Sequence, residues 1–299
     1  MILNFKPIEK ADKPIFDKFY NARYYENSQL TFTNQYVWRK FFNIRWAIEN
    51  DVLYTLSDSN NKLSMLQPIG SEDKMQDAIA NIIEFFAVND QEFSMIDLDK
   101  SFVEELEKFP DAKFDIKINR GDFDYIYFAK DLINLSGRKY NLKKTPLNFF
   151  RRIYPTAKYV PITEELIPKC REALNRWYES KVTRLNTNSM FDMIATNELL
   201  DNLFDFNLKA GAIDLDGRII VFTCGEQLNS DTAVIHIEKA ERDIRGSYVA
   251  INQGFVEHEW SSNMKFINRE EDLGVAGLRK AKESWNPCKM IEMFNATRS

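Results

Sequence analysis

Cysteine is scarce in this chain. Cys170, Cys224 and Cys288 are the only three in 299 residues, far apart and without paired spacing, which excludes a disulfide framework and a structural zinc site. Histidine is scarcer, with His236 and His258 alone, so a histidine-rich metal centre is impossible. Carboxylate-held Mg²⁺ or Ca²⁺ is the metal chemistry left open, and no metal site is assigned. No apolar run approaches the ~18 residues of a membrane span, and Met1-Ile-Leu-Asn-Phe-Lys-Pro7 lacks the basic region, apolar run and cleavage site of a signal peptide. A reducing cytoplasm and no integral membrane segment are therefore expected. The Walker loop, G-x-S-x-G, the His-x-x-x-His pair and a dinucleotide fingerprint after a strand are all missing, which sets aside serine-hydrolase and histidine-metal readings.

What is present is ample apolar material, 44% hydrophobic with 13% aromatic, on a chain long enough for two domains. A formal charge of -5 gives no global pull toward polyanions, so any such partner must meet a local basic patch. Ser136 to Tyr154 is one: Arg138, Lys139, Lys143, Lys144, Arg151 and Arg152 are interleaved with Tyr140, Phe149 and Phe150, and no acid interrupts them. That pattern suits tRNA or another phosphate-bearing partner, or a solvated face that turns its aromatics inward.

Hydrophobic period and turn chemistry give an α+β chain. Phe41 to Ile48, Val52 to Ser57 and Leu63 to Ile69 read as a strand meander, Asp73 to Val88 as a helix, Ser94 to Leu98 as a strand, and Asp115 to Phe128 as a hairpin about Arg120-Gly-Asp122. Residues 136–160 read as a basic connector, helical before Pro155, between an N-terminal domain, 1–135, and a C-terminal domain, 161–299. The second domain reads α-α-β-β-β-α-β-α-β: helices from Thr163 and from Ser189, strands Leu208 to Asp214, Arg218 to Leu228 and Thr232 to Ala240, a helix Gly246 to Trp260, a strand Lys265 to Ile267, a helix ending near Trp285 and a strand Lys289 to Phe294.

The strand Thr232 to Ala240 carries the candidate chemistry. Strict alternation puts Val234, His236 and Glu238 on one face, and a three-residue loop at Asn229-Ser-Asp231 pairs Glu226 with Val234 on that same face. Partly buried carboxylates there suit a general base for an amine or hydroxyl nucleophile, Glu238 first; a hydrogen-bonded core histidine and salt-bridged glutamates are the structural alternative. The turn Glu241-Arg-Asp-Ile-Arg-Gly-Ser-Tyr248 leads into a helix, so Arg242, Arg245 and the Gly246 amide form a candidate anion site, with Tyr248 beside it. Downstream, Glu270, Glu271 and Asp272 precede a helix whose buried stripe is expected to be Leu278, Ala281 and Trp285, with Lys282 on its border facing a pocket.

Three stretches carry a resemblance: Asn134-Leu-Ser-Gly-Arg-Lys-Tyr-Asn-Leu-Lys-Lys144, Val234-Ile-His-Ile-Glu-Lys-Ala240 and Ile267-Asn-Arg-Glu-Glu-Asp-Leu-Gly-Val-Ala-Gly-Leu-Arg-Lys-Ala-Lys282. With Tyr24-Tyr-Glu-Asn-Ser28 and Thr31-Phe-Thr-Asn-Gln-Tyr-Val-Trp-Arg39, they resemble bacterial proteins grouped with the C-terminal domain of phosphatidylglycerol lysyltransferase, over nearly the whole chain. The resemblance implies two tandem GNAT-like acyltransferase domains, each a mixed, mostly antiparallel sheet flanked by helices, as in the Fem aminoacyltransferases. It further implies an acyl-donor cleft where Thr232–Ala240 and Lys265–Ile267 splay apart. The acetyltransferase turn reads Q/R-x-x-G-x-G/A, whereas arginine holds its first glycine position here, which weighs against coenzyme A. The expected function is aminoacyl or acyl transfer to an amine or hydroxyl acceptor. The expected donor is aminoacyl-tRNA, with acyl-CoA as the alternative, and tRNA would be met by Arg138, Lys139, Lys143 and Lys144. Glu238, Lys239, Glu226 and His236 form the catalytic set, and Arg242, Arg245, Gly246, Tyr248, Arg269, Glu270, Asp272 and Lys282 the binding set. A non-catalytic binder of a small polar ligand on the same fold is the rival reading.

Overall fold

The computed structural model describes residues 3–59, 62–110, 113–180, 187–241 and 243–298, with 187–189 as backbone only. In chain order the elements are β1 (Lys6–Pro7), α1 (Lys13–Tyr20), α2 (Phe32–Trp38), β2 (Arg45–Glu49), β3 (Val52–Ser59), β4 (Lys62–Met65), α3 (Met75–Val88), β5 (Ser94–Leu98), α4 (Lys100–Glu107) and β6 (Phe114–Ile118). There follow β7 (Asp124–Phe128), α5 (Ala129–Asn134), α6 (Asn141–Ile153), β8 (Lys158–Pro161), α7 (Ile167–Glu179), α8 (Thr187–Asn202), β9 (Lys209–Leu215), β10 (Arg218–Gln227) and β11 (Thr232–Ala240). The chain ends with α9 (Ser247–Phe255), β12 (Phe266–Asn268), α10 (Ala276–Glu283), β13 (Lys289–Ile291) and β14 (Phe294–Arg298). Two seven-stranded sheets result, ordered β1-β2-β3-β4-β5-β14-β6 and β13-β7-β12-β11-β10-β9-β8. Parallel pairing joins β4 to β5 and β11 to β12. The fold is thus α+β with two mixed, mostly antiparallel sheets flanked by helices, as expected.

The chain divides into two compact units. The first is Met1–Asp124 with Glu271–Val275 and Met290–Ser299; the second is Tyr125–Glu270 with Ala276–Lys289. In the first, the meander β2-β3-β4 pairs antiparallel, and its apolar face packs with Met75, Ala78, Ile79, Ile82 and Phe86 of α3, one stripe at helical spacing. Two expectations are corrected here. The segment about Arg120 is no hairpin, because β6 pairs with β14 in the first sheet and β7 with β12 in the second. Their burial explains it: β6 is half-exposed, whereas β7 is buried along most of its length. Likewise Lys289 to Phe294 is not one strand, since Phe294 and Ala296 carry β14 between β5 and β6 and into the first core.

In the second unit, the expected connector folds as α6 and β8, with Tyr140, Leu147 and Phe150 buried and β8 paired to β9. Phe150 and Ile251 of α9 share a core with Ile213, Ile220, Val221 and Ala240 of the sheet. Gly246, the residue before α9, has φ +95°, and a Cβ there would strike the Pro146 carbonyl of α6, so close approach of α6 requires glycine at this point.

Candidate functional site

β11 and β12 pair in parallel for three residues, Thr232↔Phe266, Ala233↔Ile267 and Val234↔Asn268. Beyond that point Arg269 bonds to Tyr125, while β11 stays with β10. The two strands therefore part after Val234 and Asn268, and the side chains that follow on each line the gap.

The pairing of Glu226 with Val234 is as expected, but Gly225 pairs with Ile235 and Cys224 with Ile237, leaving His236 as the extra residue of a β-bulge. Gly225 allows it, because a Cβ there would collide with the Val234 carbonyl. The extra residue reverses the alternation, so Glu238, opposite Thr223, points to the other face of the sheet from Glu226 and Val234. The expectation of one shared face for His236 and Glu238 is corrected accordingly. On one face His236 is held between two carboxylates, Nε2 at 3.0 Å from Glu226 and Nδ1 at 2.9 Å from Glu270, with its side chain 2% exposed. Burial by itself drives an imidazole toward its neutral form, but the hydrogen bonds and charges of Glu226 and Glu270 outweigh it and raise His236 to about 10. At neutral pH it is an imidazolium donating from both nitrogens, with no lone pair for a proton.

The other face holds a second cluster. Glu238 pairs with Arg269 through one oxygen and accepts a 3.1 Å bond from Asn252 Nδ2 of α9 on the other. The Arg269 guanidinium carbon lies 4.9 Å from the Trp285 ring centre and 5.6 Å from that of Tyr127. Arg269 Nε and Nη1 and Asn252 Oδ1 are buried with no hydrogen-bond partner among the described residues. Each such atom costs on the order of 1–3 kcal/mol if left unsatisfied, so this cluster has unused capacity for acceptors at the arginine and for a donor at the asparagine. Lys143 of α6 reaches this cluster, donating to Ser284 Oγ at 2.6 Å with its amine 4.5 Å from the Trp285 ring centre. Burial, then the nearby Arg269 charge, lowers its amine to about 8 against the opposing pull of Glu238.

The other expected residues disperse. Lys282 donates to the carbonyls of Arg269 and Glu270, fastening a turn in which Glu270 has φ 56°. Lys239, buried, pairs with Asp192 of α8 at 2.7 Å beside Trp177, on the face away from Glu238. Asp272 belongs to the first unit, where it pairs with Arg120 at 3.0 Å. Arg245 is exposed over Phe149, Tyr248 accepts from Trp177 Nε1 at 3.1 Å, and Arg242 lies outside the described residues. Of the expected stripe on α10, Trp285 is buried but Leu278 is 38% exposed and Ala281 is exposed.

Lys143 and Asn252 had a legible signal. Tyr140, Lys143, Leu147 and Phe150 follow one helical face, as do Val249, Asn252 and Val256, so Asn252 stands at a buried position and Lys143 at a half-buried one on otherwise apolar stripes. Among the described residues, no cluster of three or more His, Cys, Asp or Glu is placed to hold a metal ion, and no helix is long and apolar enough to cross a membrane.

Known proteins match this architecture over its length. A conserved protein of unknown function from Bacteroides thetaiotaomicron is 30% identical, with a TM-score of 0.93 over 99% of this chain and 100% of that one. The C-terminal domain of a putative lysylphosphatidylglycerol synthetase from Agrobacterium fabrum aligns over 97% of this chain and 93% of its own (TM-score 0.67, 11% identity). FemX aligns over 98% and 97% (TM-score 0.62, 9% identity). At those identities the likeness is one of fold. An uncharacterized protein of Mycoplasmoides gallisepticum is 25% identical over 188 residues, 61% of this chain, and the match spans 59% of that relative's length. Residues 22–297 match the family described as phosphatidylglycerol lysyltransferase, C-terminal. The chain belongs to the phosphatidylglycerol lysyltransferase C-terminal family.

Proposed function

We propose that the protein is an aminoacyl- or acyltransferase whose donor is aminoacyl-tRNA, before acyl-CoA, and whose acceptor is an amine or hydroxyl. The observation that carries this reading is the set of open buried atoms where β11 and β12 part: two nitrogens of Arg269 and one oxygen of Asn252, beside the Glu238 carboxylate. Arg269 supplies donors to an ester carbonyl and to the oxyanion that replaces it in acyl transfer. Asn252 Oδ1 and Glu238 suit the α-ammonium of an aminoacyl group. Family membership supports the same chemistry, the family being named for lysyl transfer. The anion site expected at Arg242, Arg245 and Gly246 is not needed for this reading, because Gly246 is accounted for by the approach of α6 and Arg245 by its place on Phe149. Thermal melting in the presence of coenzyme A, acetyl-coenzyme A, aminoacylated tRNA and deacylated tRNA tests it. A shift with aminoacylated tRNA that weakens as salt rises supports the reading; a shift with coenzyme A alone replaces the donor.

One observation favours the rival reading, a non-catalytic binder: both Glu238 oxygens are engaged and His236 carries its proton. Glu238→Gln separates the two. A transferase loses turnover together with its preference for aminoacylated over deacylated tRNA, whereas a binder loses the preference and has no turnover to lose.

A further inference from the structure

Among the described residues on the Arg269 side of the splay, Tyr127, Glu238, Lys143 and Lys282 have protons to exchange, and Lys282 is spent on the carbonyls of Arg269 and Glu270. The Tyr127 hydroxyl donates to the Lys282 carbonyl at 2.8 Å and is pushed above the ordinary tyrosine range by burial, so it keeps its proton. Glu238 has one oxygen on Arg269 and the other on Asn252. Both of its oxygens are thus engaged, and the carboxylate serves to hold the arginine in place. Lys143 differs, because its amine has one polar partner among the described residues, the neutral Ser284 hydroxyl, and otherwise faces the Trp285 ring. We propose that Lys143, standing on the inward face of α6 between Ser284, Trp285 and the Arg269–Glu238 pair, is the catalytic base of the transfer, and that Glu238 positions Arg269.

This inference rests on the transferase reading above. In the step, the acceptor's nitrogen or oxygen attacks the acyl carbonyl carbon and the new C–N or C–O bond forms. The acceptor's proton passes to the neutral Lys143 amine. The ester C–O bond then breaks with its electron pair leaving on the donor's oxygen, which takes the proton back from the Lys143 ammonium. Charge builds on the carbonyl oxygen, where Arg269 offers its open nitrogens. No electrons enter or leave the system. A base is most effective when its proton affinity lies near the working pH, and the lowering of Lys143 to about 8 puts it there. The charged groups that set this value are Arg269, which lowers it, and Glu238, which raises it. The basic segment that the sequence offers as a polyanion surface is thereby divided: Lys139 pairs with Asp131 at 3.1 Å and Arg138 is exposed, Lys144 binds the Gly137 carbonyl, and Lys143 turns inward.

Two measurements on the full chain test the assignment. In the first, lysines are acetylated with N-hydroxysuccinimide acetate across pH 6 to 11 and mapped by peptide mass spectrometry. Lys143 is expected to label with a midpoint of about 8, moved upward in Arg269→Met and downward in Glu238→Gln. A midpoint at the ordinary lysine value of about 10.4 overturns the proposal and leaves the transferase reading standing. In the second, release of radiolabelled amino acid from aminoacyl-tRNA to hydroxylamine is followed against pH, above the rate without protein. Wild type is expected to rise to a plateau through about 8, and Lys143→Arg, which keeps the charge but holds its proton, to lose about 100-fold or more. Retention of the wild-type rate and profile in Lys143→Arg overturns the proposal. If wild type releases nothing, the transferase reading fails and Lys143 loses its reaction, whatever its labelling midpoint.

Discussion

His236 shows how far a side chain can depart from the role its type suggests. An imidazole on the strand facing a cleft reads as a base, yet two carboxylates hold its proton and raise it to about 10. The sign of the linked stability follows. The folded state keeps this proton up to about 10, whereas the unfolded chain loses it near 6.5, so the contribution is complete below about 6.5 and is lost as pH rises through about 10. Urea unfolding of wild type and His236→Gln at pH 6, 8 and 10 should therefore give a gap that shrinks with rising pH. At pH 6 the gap should be about 3–5 kcal/mol, the cost of removing one partner from a buried ionic group. A gap that widens toward pH 10 would mean that His236 is neutral in the fold. Lys143 carries the opposite sign, lowered in the fold, and therefore favours the folded state more as pH climbs from about 8 toward the ordinary lysine value.

At the scale of elements, the decisive feature is one residue of slippage. The turn at Asn229-Ser-Asp231 made the pairing of Glu226 with Val234 legible, because loop length fixes register. The bulge at His236 was not legible, since it arises from the opposing strand lacking a Cβ at Gly225. The meander, α3, β9 to β11 and α9 follow from period and turn residues alone, whereas the Leu278 and Ala281 stripe on α10 does not, because no residue of that helix is buried. Gly225→Ala should destabilise by about 1–3 kcal/mol through contact with the Val234 carbonyl, and should also abolish any donor-induced melting shift by turning the residues after the bulge. Gly246→Ala, at φ +95° and against α6, should cost about 1–3 kcal/mol as well. Chemical denaturation midpoints check both, and a neutral Gly225→Ala would remove the bulge from the account.

For the whole molecule, the chain order conceals that the first unit is completed by residues near the C-terminus. The expected boundary at 135 follows from composition, but β14 stands between β5 and β6, with Ala296 fully buried, and Glu271–Val275 also belongs to that unit. Sequence periodicity cannot reveal such a return, because a short strand such as Phe294–Arg298 reads alike in either sheet. The fragment 1–135 produced alone should therefore lack β14, leave β5 and β6 unpaired with each other, and show no cooperative thermal transition by circular dichroism. A cooperative transition for that fragment would show that β14 is dispensable to the unit.

The central claim, that the parting of β11 and β12 forms a site for an aminoacyl donor built on Arg269, is tested most directly by affinity. Dissociation constants for aminoacylated and deacylated forms of the same tRNA would be measured at fixed salt, for wild type and Arg269→Met. The account predicts that wild type prefers the aminoacylated form about tenfold, roughly 1.4 kcal/mol, and that Arg269→Met binds both forms equally. Equal binding of the two forms by wild type, or a preference that survives in Arg269→Met, would contradict it.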